Sequence, residues 1–217
     1  MNLLLNYAEA FTRGIGMTLF VTGCAWVIGT ILGFFLGTSA VRSSFAGSAV
    51  SKAAFGIGAI PAMILMVWFH YPVQAALGLV INPIATAIFV LTLINTALVA
   101  EAFSSARANT GREYLESAFI HGMDFRTARY RIELPLLIRT ASPRVLYAQV
   151  LVLHVSLFAS LISLNELFST AQRINAVEYQ PIPIYTFVAL FYLLLSLPLL
   201  LLGARLEQRY GRDFSER

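Results

Sequence analysis

The chain has few charged residues for its length, and this scarcity excludes most classes of soluble protein. Only 12% of its 217 residues are charged, whereas 58% are hydrophobic. No soluble domain of this size needs so much apolar side chain, so the composition predicts a polytopic membrane protein. Residues 14–41 and 53–100 contain no Asp, Glu, Lys or Arg. At about 20 residues per span, these two runs provide three transmembrane helices.

Cysteine is almost missing, and the usual signatures of catalysis do not occur. The single cysteine, Cys24, excludes a disulfide within the chain and a cysteine-based metal site. The three histidines are scattered without metal-ligand spacing, and there is no glycine-rich phosphate loop. We therefore expect no metal, no cofactor and no ATP hydrolysis by this chain itself. The first residues lack a basic region, so no cleavable signal is expected either.

The hydrophobic runs predict one all-α domain over residues 1–217, a bundle of about five transmembrane helices. Turn signals near His70-Tyr71-Pro72 and Asn82-Pro83 separate the second span from the third. An odd number of spans places the two ends of the chain on opposite sides of the membrane. The spans are expected at roughly 14–41, 53–70, 84–104, 145–165 and 182–204.

Basic residues are distributed very unevenly between the loops. Of the fifteen Lys and Arg residues, two lie in 42–52, seven in 107–144 and four from Arg205 onward. Cytoplasmic loops are enriched in Lys and Arg, which predicts an outside N-terminus and a cytoplasmic C-terminus. Arg13 and Arg173 are then the basic residues on the outer side. The net charge of +4 reflects loops that face anionic lipid rather than nucleic acid.

The first span contains small residues at regular intervals of four. Gly29, Gly33 and Gly37 form a ridge on one helix face, which lets another helix approach closely. The partner helix could belong to this chain or to another subunit, and packing within the chain is the simpler reading.

The long charged loop, 107–144, has helical patterning of its own. Thr110 and Glu113 have the spacing of a capping box, so a short helix is expected to start there. Gly122 suits a left-handed helix end, and Pro135 is expected to break the next helical segment. One face of this helix is apolar or small: Tyr114, Leu115, Ala118, Phe119, Gly122 and Met123. Ala118 and Gly122 are small and one turn apart on this face, so the surface of a partner is expected to come close there. The pattern alone favours equally a helix that lies among lipid headgroups and one that docks a partner.

A motif in this loop identifies a family. Its residues are Glu116-Ser117-Ala118, Gly122, Ile132 and Leu134-Pro135. They resemble the EAA loop of bacterial ABC-importer permeases at every spacing, with Ser117 in place of the second alanine. In that family the loop forms a coupling helix that docks in a groove of the ATPase subunit. The resemblance implies a type I importer permease in the bacterial inner membrane, a non-catalytic subunit that takes its energy from a partner ATPase.

The same resemblance implies partners and a substrate class. The partners are two ABC ATPase subunits, a second permease chain and an extracytoplasmic solute-binding protein. Ser156-Leu157, Glu166-Leu167 and Ala171-Gln172 resemble the permeases for polar amino acids of the histidine, glutamine and arginine type. The chain departs from that pattern at Gly58-Ala59-Ile60-Pro61 and at Leu153-His154, where charge is lost. These departures suggest either that a non-identical second permease supplies most contacts to the substrate or that this chain carries a less polar solute.

Polar residues within or near the spans are candidates for the substrate pathway, because they are costly at membrane depth unless paired or wetted. Glu101 could instead face water at the cytoplasmic end beside Arg107, and Asn95 could join helices. The candidates are Asn95, Glu101, Ser156, Ser160 and Glu166.

Two rival functions are a stand-alone secondary transporter and an integral membrane enzyme. The first would need an internal inverted repeat, and the second a cluster of histidines and carboxylates; neither pattern is visible.

Overall fold

The fold is almost entirely helical in the part of the chain that the computed structural model describes. That part is residues 5–39, 52, 56–109 and 113–215, with the backbone alone at 39, 108, 109, 113 and 211–215. The predicted all-α fold is confirmed, whereas the predicted cap at Thr110 and the loop from 42 to 51 lie outside the described residues. The elements are α1 (Ala8–Ser39), α2 (Ala62–Trp68), a π-helical turn (Phe69–Val73), α3 (Gln74–Leu77), α4 (Pro83–Asn109), α5 (Glu113–Ile120), α6 (Phe125–Ala128), a second π-helical turn (Arg129–Glu133), α7 (Leu134–Val155), a 3₁₀ segment (Ser156–Ile162), α8 (Leu167–Glu178) and α9 (Pro181–Ser215).

Four of the described helical runs are long and apolar enough to cross a membrane. They are Ala8–Thr38, Pro83–Arg107, Phe125–Ile162 and Pro181–Tyr210. A fifth apolar run, Ala62–Leu77, is shorter. At 1.5 Å per residue it is about 24 Å long, less than the hydrocarbon core of about 30 Å. The bundle therefore has four long helices and one short one.

The short run does not break where the sequence suggests a turn. The chain stays helical through His70, Tyr71 and Pro72 by widening into a π turn, which accommodates the missing N–H of proline. The turn follows at Gly78, whose φ of +63° is in the left-handed region. The buried Gln74 side chain closes this turn: its Oε1 accepts a 2.8 Å hydrogen bond from Ile81 N.

Glycines allow α1 and α4 to pack in close contact. A Cβ atom added at Gly29 would lie 2.7 Å from Asn95, and one at Gly33 would lie 2.6 Å from Val99. At Gly37 it would lie 2.7 Å from the α4 backbone. The glycine ridge therefore packs against another helix of the same chain.

A cluster of buried polar groups joins three of the long helices where they cross. The Asn95 amide nitrogen on α4 donates to the carbonyl oxygens of Ala25 at 3.0 Å and Trp26 at 3.3 Å on α1. The Gln149 amide nitrogen on α7 donates to Asn95 Oδ1 at 3.3 Å and Thr30 Oγ1 at 3.2 Å. Because such groups are costly to leave unpaired in an apolar interior, the cluster fixes the register of α1, α4 and α7.

The remaining long helices alternate in direction. Gln149 near the middle of α7 meets Asn95, whereas Leu137 near its start clusters with Ala106 near the end of α4, so α7 is antiparallel to α4. The α9 helix reverses again, since Tyr147 on α7 donates to Glu207 late in α9, whereas His154, later in α7, packs against Tyr192, earlier in α9. The start of α1 and the end of α9 thus lie at opposite ends of the bundle. We call one end of the bundle the loop end; it contains α5, α6 and the C-terminal end of α4.

The close approach of α1 and α4 predicts opposite effects of the same substitution at two glycines. Gly33→Ala should destabilise the protein by about 1–3 kcal/mol, because the new methyl group overpacks the contact with Val99. Gly23→Ala is the matched control on the same helix, since no atom lies within 4 Å of its added Cβ. It should be neutral or stabilise by up to about 1 kcal/mol through helix propensity. Thermal unfolding in detergent measures both, and equal midpoints for the two variants would contradict the packing described.

Candidate functional site

The loop end contains the residues of the predicted coupling motif, and its first element is the short helix α5. This helix closes with a Schellman motif: Met123 N donates to Ala118 O and Gly122 N donates to Phe119 O, both at 3.0 Å. Gly122 has the φ of +77° that this motif requires. The sequence-based expectation of a left-handed helix end at Gly122 is therefore confirmed.

The two faces of α5 differ from the faces that the helical pattern suggests. Ala118 is buried, and α5 packs against the chain's own α6 and following π turn. The expected close approach of a partner at Ala118 is thus replaced by a contact within the loop. Glu116 and Ser117 are exposed, and so is Ile120, with 84% of its surface accessible. Exposed Phe119 and Phe125 flank Ile120 along the chain, and we name Phe119, Ile120 and Phe125 the apolar tip.

Asp124 lies directly before Phe125 of this tip and caps the start of α6. Its carboxylate accepts hydrogen bonds from Arg126 N at 3.2 Å and Thr127 N at 3.3 Å, as an N-cap does. Hydrogen bonds from Thr127 and Arg126 hold the pKa of Asp124 below its usual range. The cap stays ionised at neutral pH and fixes the direction in which the chain leaves the apolar tip.

A buried ion pair attaches the loop to the bundle. Arg107 Nη2, at the end of α4, lies 3.0 Å from Glu133 Oε1, at the end of the second π turn. The Glu133 side chain is only 5% exposed and that of Arg107 is 24% exposed. Removing either partner would leave a charge with little water around it, which is strongly unfavourable. The loop and α4 are therefore held together at this point.

Three motif residues surround this ion pair along the chain. Ile132 and Leu134 are half-buried on either side of Glu133, and Pro135 lies in the first turn of α7. Pro135 does not break the helical path, contrary to the expectation from sequence. The preceding π turn passes directly into α7, and its wider hydrogen-bond spacing accommodates the N–H that Pro135 lacks.

A second polar region lies on the bundle itself, between α4 and α7. A cavity of about 440 Å³ is lined by Glu101, Arg144 and Tyr147, among others. Glu101 and Arg144 are exposed, and His154 is exposed two turns beyond Tyr147 on the same side of α7. We name Glu101, Arg144, Tyr147 and His154 the open polar face. Ionisable residues on a membrane helix usually face water, a bundle interior or a partner rather than lipid.

The other pathway candidates are not brought together by the fold. Asn95 joins α1, α4 and α7, which is one of the two roles that the sequence leaves open. Ser156 is buried and donates to Leu153 O at 2.7 Å, and Ser160 is half-buried further along the same 3₁₀ segment. A 3₁₀ stretch within a long helical run often marks a hinge. Neither Asn95 nor the two serines line the cavity that contains Glu101.

Glu166 lies near the opposite end of the bundle, where it caps α8. It accepts hydrogen bonds from Phe168 N at 2.7 Å and Ser169 N at 2.6 Å, and Thr18 Oγ1 on α1 lies 3.4 Å from its Oε2. Burial raises the pKa of this carboxyl to about 7, against the opposing effect of the two backbone donors. Through these hydrogen bonds the Glu166 carboxylate connects α1 to the start of α8.

Two important residues were not singled out by sequence reasoning. Glu133 is a charged residue within the otherwise apolar Ile132-Glu133-Leu134 triplet, and that isolated charge was the available signal. Ile120 lies at the border between the apolar and polar faces of the helical pattern, and its exposure depends on how α5 docks on α6. Among the described residues, no group of three His, Cys, Asp or Glu side chains is placed to hold a metal ion.

Comparison with known proteins identifies related sequences. Residues 25–212 match the family described as binding-protein-dependent transport system inner membrane component. The chain is 29% identical over 130 residues to the histidine/lysine/arginine/ornithine transport system permease protein HisM of Salmonella typhimurium, a match that covers 60% of this chain and only 55% of that relative. It is 27% identical over 203 residues to the octopine transport system permease protein OccQ of Rhizobium meliloti, covering 88% and 86% of the two chains.

Solved structures have the same fold. A crystal structure of an amino acid ABC transporter with histidines superposes with a TM-score of 0.81 and 23% identity, over 95% of this chain and 96% of that one. An inward-facing structure of the MetNI methionine ABC transporter superposes with a TM-score of 0.75 and 16% identity, over 94% and 98%. At these identities the likeness shows the fold alone.

The buried ion pair predicts a double-mutant result. Glu133→Leu should destabilise the protein by about 1–3 kcal/mol, because it leaves Arg107 unpaired in a partly buried site. The double variant Arg107→Leu/Glu133→Leu should recover at least half of that loss, since neither charge remains. Thermal unfolding in detergent measures the cycle, with Arg131→Leu, an exposed residue of the same π turn, as control. Additive losses in the double variant would contradict the pairing.

Proposed function

Because the chain belongs to the binding-protein-dependent transport system inner membrane component family, we propose that it is the permease subunit of an ATP-driven importer. In this role it spans the bacterial inner membrane and contributes no catalytic chemistry. ATP hydrolysis takes place in two partner ATPase subunits, and an extracytoplasmic binding protein delivers the solute. The loop end then faces the cytoplasm and α8 faces outside, the orientation that the Lys and Arg distribution favours.

The apolar tip is the observation that supports this function most strongly. Phe119, Ile120 and Phe125 are 44%, 84% and 63% exposed on a loop that is otherwise rich in arginine. Exposed apolar residues rimmed by charge are typical of a protein docking site. The tip lies within the coupling motif, so we assign it to the groove of the ATPase subunit. Glu116 and Ser117, exposed on the same helix, complete the contact.

The remaining motif residues transmit the motion rather than contact the ATPase. Ala118 and Gly122 hold α5 in its docked position on α6, the first by packing and the second by closing the helix. Ile132, Leu134 and Pro135 lie around the Arg107–Glu133 ion pair. When the ATPase subunits close and move α5, this ion pair makes the ends of α4 and α7 move with it. Rocking of these helices opens the pathway to one side at a time.

The open polar face marks the wall of the pathway. Glu101, Arg144 and His154 are exposed on helices that are otherwise apolar, so they require water or a polar partner. A second permease chain placed against this face encloses a polar passage between the two subunits. Ser156 and Ser160 lie in the 3₁₀ segment that continues α7, where the pathway's helix can bend. Glu166 supports the outer end through α8 rather than binding solute.

The substrate class is that of polar amino acids or related small solutes. This assignment rests on the resemblance of the 156–172 region and on the amino acid and octopine systems named among the relatives. The open polar face contains a carboxylate, Glu101, and a guanidinium cation, Arg144. Two groups of opposite charge suit a zwitterionic solute. The second permease is a non-identical homologue, because this chain has lost charge at Gly58-Ala59-Ile60-Pro61 and Leu153-His154 relative to the polar amino acid branch.

Substitutions of Gly122 test the coupling role. Gly122→Leu should raise the ratio of frayed to closed C-terminal ends of α5 about five- to thirtyfold. The reason is that a branched side chain strains the left-handed backbone by about 1–2 kcal/mol. Gly122→Asn is the control, since asparagine tolerates this conformation. The readout is stimulation of ATPase activity by loaded binding protein in liposomes. We expect loss of stimulation in the leucine variant and near-normal stimulation with asparagine; full stimulation in both would contradict the role.

The subunit composition provides a separate prediction. Expression of this chain with its ATPase alone should give no transporting complex, because the second permease supplies most of the contacts to solute. Adding the homologous permease should give a complex with one copy of each permease and two ATPases. Native mass spectrometry and uptake in liposomes measure both properties. A transporting complex with two copies of this chain and no other permease would refute the prediction.

A further inference from the structure

An arginine-rich cavity opens at the loop end of the bundle. It measures about 430 Å³ and lies between the end of α1 and the 125–137 segment. Three arginines line it, Arg107, Arg126 and Arg129, together with a single acid, Glu133. Because Glu133 is paired with Arg107, the cavity keeps two positive charges in excess. Residues 40–51 and 110–112, which lie outside the described residues, contain no Asp or Glu.

An apolar groove continues from this cavity along the bundle. It measures about 450 Å³ and lies between α1, α4, α7 and α9. Its walls include Ile31, Phe103, Ile138 and Leu202, and among the described residues that line it the polar side chains are the hydroxyls of Thr30 and Ser142. Phe34 and Phe35 on α1 line both the groove and the arginine-rich cavity. The two spaces are therefore adjacent, with the charged one nearer the end of the bundle.

We propose that the two spaces together bind one anionic phospholipid. The phosphate headgroup lies between Arg126 and Arg129, and an acyl chain lies in the groove beyond Phe34 and Phe35. Each space falls in the range of about 300–1,000 Å³ that is typical of ligand pockets. A basic pocket between membrane helices at headgroup depth is a recognised kind of anionic lipid site, and arginine forks match phosphate oxygens.

The geometry favours a lipid over a free anion. A soluble phosphate would occupy the arginine-rich cavity but would leave the apolar groove unexplained. A neutral lipid would fill the groove but would leave the charges of Arg126 and Arg129 unbalanced. A bound anionic lipid contacts α1 on one side and the α6 segment of the loop on the other. It therefore adds a second attachment between the loop and the bundle, beside the Arg107–Glu133 ion pair.

The test counts the lipids that remain on the complete transporter, purified in detergent with all its subunits. Phosphatidylglycerol and phosphatidylcholine with identical acyl chains are added in turn, and native mass spectrometry measures the retained lipid. Two variants probe the two spaces: Arg126→Gln/Arg129→Gln removes charge, and Ile31→Trp fills the groove. Their matched controls are Arg131→Gln, exposed on the same π turn, and Ile28→Trp, exposed on α1 outside the groove. Inorganic phosphate is added as a competitor.

We expect the wild type and both controls to retain phosphatidylglycerol in preference to phosphatidylcholine. Retention should fall about fivefold for each arginine removed, or about 25-fold in the double variant. It should also fall in Ile31→Trp, and inorganic phosphate should not displace the lipid. Equal retention of the two lipids, or undiminished retention in either variant, would overturn the proposal. Displacement by inorganic phosphate would also overturn it and would indicate a free-anion site.

Discussion

The ion pair between Arg107 and Glu133 is the interaction on which the rest of the loop depends. Glu133 is almost fully buried, so its charge has little access to water. Moving it away from Arg107 would raise the free energy of the folded protein strongly. The pair therefore fixes the second π turn to the end of α4. From this point α6 and α5 extend outward, and α7 returns into the bundle. A force applied to α5 reaches two long helices through one short, rigid path.

The bundle is built so that this force moves helices as units. Glycines let α1 lie directly against α4, and the Asn95–Gln149 cluster joins both helices to α7. Since a packed interface has discrete arrangements rather than a continuous range, these three helices are expected to move together. The helices are expected to bend most easily at the π turn Phe69–Val73 and at the 3₁₀ segment Ser156–Ile162, because the regular hydrogen-bond pattern changes there.

Much of this architecture could be predicted because membranes impose simple rules. Uncharged runs located the long helices, and the spacing of the motif located α5 and its left-handed end at Gly122. Other features depend on tertiary contacts that no local pattern contains. Pro72 and Pro135 were expected to break helices, but a π turn at or directly before each proline accommodates it. Ala118 looked like a partner-facing residue, yet it packs inside the loop because α6 folds back against α5. Glu133 acquires its role only when Arg107 is brought beside it.

The central claim is that the exposed side of α5, not the side containing Ala118, meets the ATPase. Site-directed cross-linking tests it most directly, with single cysteines in place of Ile120 and Ala118 in a Cys24→Ala background. A short bifunctional maleimide is applied to the assembled transporter, whose ATPase subunits carry a cysteine in their docking groove. We predict that the cysteine at position 120 cross-links to the ATPase and that the one at 118 does not. Cross-linking at position 118 without cross-linking at 120 would contradict the account.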